Sequence, residues 1–182
     1  VLQARDLTPL QAGRLVQRVL EVETYRLMAL LALPVARKIT PEVRTMEREL
    51  ARITQELTHA EEETDQHALL DELSNLAARV ERHRSDTTYR FAATNAYYDL
   101  VEERIQELGE EKIPGLQSVR VFIERRLAPG IRTCNAVRDR LEGLSGRISQ
   151  ASELLRARVE LSIQGQYSSA SSRRWRVCRW SR

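Results

Sequence analysis

The chain has 182 residues, a formal charge of +3, 30% charged and 5% aromatic residues, and only seven Gly and five Pro. Abundant Leu, Ala, Glu and Arg with so few breakers reads as long helices, and no window has the β-branched and aromatic clustering that strands need. The positive charge sits at the end, where Arg173, Arg174, Arg176, Arg179 and Arg182 follow Gly165 without an acid; the body is slightly negative and lacks the basic face of a nucleic-acid binder.

Thr8-Pro9 reads as an N-cap followed by proline at the first helical position, opening a helix over 9–39 that Pro34 kinks or ends early. Thr40-Pro41-Glu42 repeats the start signal and predicts a second helix over 41–60, with Val43, Met46, Leu50, Ile53 and Leu57 on a heptad seam. Acids at Glu61, Glu62, Glu63 and Asp65 mark the turn. The third helix, 64–108, carries Leu69, Leu73, Leu76, Val80, His83 and Thr87, then, after a stutter, Phe91, Thr94, Tyr98, Val101, Ile105 and Leu108. Gly109 to Gly115 breaks the pattern, with Pro114-Gly115 as a turn, and a short helix over 116–127 follows. Pro129 opens a last helix over 129–165 bearing Cys134, Val137, Leu141, Leu144, Ile148, Ala151 and Leu155. Residues 166–182 have no helical period and read as a disordered basic tail rich in Ser, Arg and Trp. A frameshifted or truncated end is preferred there over a membrane-surface or nucleic-acid-binding peptide.

The expected fold is all-α, an elongated antiparallel three-helix coiled-coil-like bundle over 1–165. Facing residues of the first three helices should have numbers totalling about 126. That sets Leu57 by Leu69, Leu50 by Leu76, Val43 by His83, Val35 by Phe91, Met28 by Tyr98 and Tyr25 by Val101. The last helix should return with numbers totalling about 239, Cys134 by Ile105, Leu141 by Tyr98 and Ile148 by Phe91.

No catalytic, cofactor-binding or metal-ligating residue is expected, and the chain is read as not an enzyme. His59, His67 and His83 are scattered without Cys or carboxylates at ligand spacing, and His83 fits a polar layer of the seam. Glu102-Glu103 and Glu110-Glu111 fit solvated faces paired with arginines, and no phosphate loop or nucleophile motif is present. Cys134 and Cys178, far apart, fit a reducing compartment or no disulfide at all. The longest apolar run, Leu27 to Ala36, is too short to span a bilayer. Tyr and Arg together are typical of interaction hot spots. Tyr25, Arg26, Tyr89, Arg90 and Tyr97, with Arg125 and Arg126, are therefore the candidate interaction residues, against the plainer reading of tyrosines capping apolar layers and arginines lying along them.

Three spaced segments carry a resemblance. They are Leu10-Gln11-Ala12-Gly13-Arg14-Leu15-Val16-Gln17-Arg18 with Glu23-Thr24-Tyr25-Arg26 and Leu33-Pro34-Val35-Ala36; Thr88-Tyr89-Arg90-Phe91 with Ala96-Tyr97-Tyr98; and Ile113-Pro114-Gly115-Leu116-Gln117 with Arg125-Arg126-Leu127-Ala128-Pro129 and Arg132-Thr133-Cys134. Together they resemble the bacterial family of predicted membrane-anchored proteins catalogued as domain of unknown function 3422. The resemblance implies a fragment whose relatives continue into a hydrophobic anchoring segment, and no assigned activity. The expected role is a helical stalk on the cytoplasmic side of the bacterial inner membrane, working through a protein partner or self-association and not through nucleic acid. The alternative is the cytoplasmic stalk of an ion channel or transporter with C-terminal membrane helices.

Overall fold

A computed structural model describes residues 7–58, 63–111 and 113–178, with the side chains of 63–64, 162–163 and 165–178 left aside. The protein is all-helical, with three helices packed against one another, and no strand occurs among the described residues. Helix α1 spans Pro9–Leu30, α2 Leu33–Leu57, α3 Glu63–Glu107 and α4 Val119–Cys178. The chain divides into two compact units, Val1–Pro41 with Arg84–Arg140 and Glu42–His83 with Leu141–Arg182.

Local chemistry accounts for each boundary. Thr8 caps α1 reciprocally: its hydroxyl accepts from the Gln11 N–H at 3.3 Å, while Gln11 Oε1 accepts from the Thr8 N–H at 2.9 Å. Pro34 has no N–H to give the Leu30 carbonyl and its ring crowds that oxygen, so α1 stops at Leu30 and the Leu31 N–H turns to Met28 at 3.2 Å. The expected second start at Pro41 is not seen, because α2 begins at Leu33 and carries Pro41 inside. There the Thr40 hydroxyl donates to the Ala36 carbonyl at 2.7 Å, where a proline loosens the ladder. Gly109 at φ +58° closes α3. The expected turn at Pro114-Gly115 is present: Gly115 takes φ +84°, and the Leu116 N–H reaches the Ile113 carbonyl at 3.1 Å, as in a type II turn.

The expected short helix over 116–127 and the new start at Pro129 are both replaced by one helix. Ser118 Oγ accepts from the Val121 N–H at 3.2 Å, and the Glu110 carboxylate accepts from Val119 at 2.6 Å and Arg120 at 3.3 Å. With three orphan amides satisfied, α4 starts at Val119 and runs through Pro129, where the missing bond falls on exposed Arg125 within reach of water. The helix also passes the expected end near Gly165 and reaches Cys178, since one glycine weakens a helix without stopping it. The expectation that 166–182 pack poorly, with Trp175 and Trp180, lies outside the described side chains.

In the second unit, Val43, Met46, Leu50, Ile53 and Leu57 of α2 are buried, as are Leu69, Leu73, Leu76 and Val80 of α3 and Leu141, Leu144, Ile148, Ala151 and Leu155 of α4. Ion pairs join α2 to α3: Glu42 to His83 Nε2 at 3.1 Å, Glu49 to Arg79 at 2.7 Å, and Arg52 to Glu72. The partner's number falls as the residue's own number rises, and the totals lie within two of the expected 126. His83 is half-buried. Arg158 donates to the Leu57 carbonyl at 2.7 Å, covering the C-terminal end of α2.

In the first unit, Glu21 meets Arg104 at 2.9 Å and Arg18 meets Glu107 at 3.4 Å, again close to the expected register. Phe91 is fully buried, but Tyr98 is only half-buried. Met28 does not fill its layer: it is 37% exposed, and Val22 and Ala29 hold the core positions. Tyr97 and Tyr98, half-buried, pack against the cluster that holds Val22 and Ala29. The register expected for the last helix is wrong. Asn95 faces Asn135, so the neighbouring Cys134 lies nearly three helical turns from the level of Ile105. Ile105 instead clusters with Ile123, Leu127 and Ile131, while Leu141 and Ile148 fall in the second unit. The return begins ten residues earlier than the Pro129 start assumed.

Candidate interaction surface of the first unit

All seven candidate interaction residues lie in the first unit. Helices α1 and α3 bring Tyr25 and Tyr97 together, stacked with centroids 6.1 Å apart and planes 25° from parallel. Both are half-buried against a cluster of Val22, Ala29, Val101, Ile105, Ile123, Leu127 and Ile131. Arg26 is tied to Glu23 at 2.7 Å, one turn back on α1. Tyr89 and Arg90 are separate from this pair, and Tyr89 is 84% exposed with its ring in solvent. Arg125 and Arg126 are exposed on α4, and the Arg126 guanidinium lies 4.3 Å over the Phe122 ring. The tyrosine pair packs into the apolar layer, whereas Tyr89, Arg90, Arg125 and Arg126 are exposed.

Four features escaped the sequence reading. Asn95 and Asn135 exchange side-chain hydrogen bonds at 2.9 and 3.1 Å, an amide pair between α3 and α4. Arg120 reaches Glu102 at 3.3 Å beside Tyr98, whose phenol is pushed up by burial and then by the Glu102 and Glu124 charges. Burial also pushes up the Cys134 thiol, so the residue behaves as a small apolar group. Beyond the end of α3, an open groove of about 540 Å³ is lined by Ile105, Gly109, Leu116, Arg120 and Val121 among others, with Ile113 and Phe122 also exposed. Isolated asparagines at seam-like spacing were the available signal for the amide pair; nothing in one sequence announces that they meet.

Among the described residues, no three His, Cys, Asp or Glu side chains converge as metal ligands, and no helix is long and apolar enough to cross a membrane. Residues 1–170 match the family described as protein of unknown function (DUF3422). The chain belongs to the DUF3422 family. No curated protein and no solved structure matches it.

Proposed function

We propose that this DUF3422 chain is a non-enzymatic helical stalk that works through protein contacts. Its helices pair as an antiparallel coiled coil, and a segment outside these residues attaches it to the cytoplasmic side of the bacterial inner membrane. The observation that carries the reading is what the fold leaves uncovered. Leu10, Leu20, Leu27 and Leu31 on and just after α1, and Ile113, Leu116 and Phe122 near the start of α4, are two groups among the large apolar side chains left in solvent, which also include Leu154 and Leu161. The pairs Glu42–His83 and Glu49–Arg79 support the antiparallel register, and the membrane context is what the family resemblance implies. The test is fractionation of the full-length natural protein beside this 182-residue chain. The full-length protein should stay with the inner membrane through an alkaline wash and present this bundle to cytoplasmic protease. Release by the wash, or protection from that protease, would sink the reading. A ring around a central pore would replace it with a channel or transporter stalk.

A further inference from the structure

Helix α1 is apolar on two opposite faces. Val22 and Ala29 are buried on one, with Leu15 and Val19 half-buried beside them. On the other, Leu10, Gly13, Gln17, Leu20, Thr24 and Leu27 recur at heptad spacing, flanked by Val16 and extended by Leu31. Leu10, Leu20, Leu27 and Leu31 are 58–68% exposed, and Val16 is 59% exposed. A contiguous exposed apolar stripe marks an interaction surface. Here an open groove of about 400 Å³ runs along Gly13, Val16, Leu20 and Thr24, and a Cβ added at Gly13 would meet no atom within 4 Å.

We propose that this face is a dimer interface, occupied by α1 of a second copy of the chain running antiparallel to the first. The inference rests on the protein-contact reading above and names its partner. Two arguments select a second copy. The first is area: the stripe offers several hundred Å² per copy, so two copies bury on the order of 1,000 Å², the lower bound of a specific interface. The second is charge. Arg14 and Arg18 lie in the first half of α1, the latter already meeting Glu107, and the second half holds Glu21, Glu23 and the Arg26 that pairs with Glu23, a net negative charge. A parallel mate sets like charge beside like. An antiparallel mate sets basic half against acidic half. Layering the seam accordingly puts Leu10 against Leu27 of the second copy, Gln17 against Leu20 and open Gly13 against Thr24. Exposed Arg14 then stands beside Glu21 of the second copy, whose carboxylate already meets Arg104.

The test uses the whole 182-residue protein. Sedimentation equilibrium should show a dimer with Kd of about 10 μM or tighter. The double change Leu20→Glu, Leu27→Glu should weaken it at least about 100-fold while leaving helicity, and the Tm measured well below Kd, unchanged, because both side chains are mostly exposed. In a Cys178→Ser background, mixing Leu10→Cys with Leu27→Cys protein should give the mixed disulfide about tenfold over either self-disulfide. A monomer at all concentrations overturns the inference, as does a dimer indifferent to the double change or self-disulfides in excess. Flotation with anionic vesicles that the double change abolishes, in a protein that stays monomeric, also overturns it and assigns the face to lipid. A monomer leaves the membrane fractionation of the full-length protein unaffected, so the two readings fail separately.

Discussion

The two units solve the same packing problem with different side chains. In the second, the buried residues of α2 and α3 are aliphatic at every layer from Val43 to Leu57 and from Leu69 to Val80. In the first, α3 buries Thr87, Phe91 and Thr94, stacks its Tyr97 on Tyr25 of α1, and joins its Asn95 to Asn135 of α4. An aliphatic seam tells its partner only that it is apolar, whereas amide and aromatic pairs are satisfied in one register alone. The second unit therefore holds by burial, and the first adds pairings that choose where α4 docks.

The largest effects should come from the cores. Leu76→Ala in the second unit and Phe91→Ala in the first, both with fully buried side chains, should each cost about 3–5 kcal/mol in urea unfolding. Tyr98→Ala should cost clearly less, since its side chain is only half-buried. A Tyr98 cost equal to that of Phe91 would place the layer as the sequence reading had it.

The amide pair comes next. Asn95→Ala and Asn135→Ala should each cost about 1–2 kcal/mol, and the double change less than their total, because each single change strands a half-buried amide. Additive losses would mean that the pair does not set the register.

Glycines on α4 separate the units further. Gly143 and Gly146, in the second unit, have open space at Cβ, so changing either to Ala should stabilise by about 0.5–1 kcal/mol. Gly130, in the first unit, is where α4 passes close to the end of α1, its Cβ falling 2.8 Å from Leu30 Cδ2 and 3.3 Å from Leu33 Cδ2. Gly130→Ala should forfeit that gain and Gly130→Val should reverse it, measured as Tm. Equal gains at 130 and 143 would show that the close approach is slack.

The smallest effect is a pH dependence. Burial and the Glu102 and Glu124 charges raise the Tyr98 pKa in the folded state. A raised pKa contributes stability present below the unfolded value near 10 and lost as pH rises through the folded one. The urea midpoint should therefore drop above about pH 10, and Tyr98→Phe should flatten the drop. An unchanged slope would assign the loss to other groups.

Much of the architecture was legible because helix chemistry is local. The Thr8 cap, the turn at Pro114-Gly115 and the seam from Val43 to Leu57 each follow from residues within one or two turns of one another. Pro41 and Pro129 were misread as boundaries: a proline removes one bond, and neighbours decide whether that breaks the helix. The docking of α4, the displacement of Met28 by Ala29, and the capping of α4 by Glu110 were settled only in three dimensions. Each depends on which distant side chains share a layer, and spacing along one helix carries no record of its neighbour's offset. The exposed stripe of α1 is the mixed case: its period is written in Leu10, Leu20 and Leu27, but only the packed bundle shows which of the helix's two apolar faces is left uncovered.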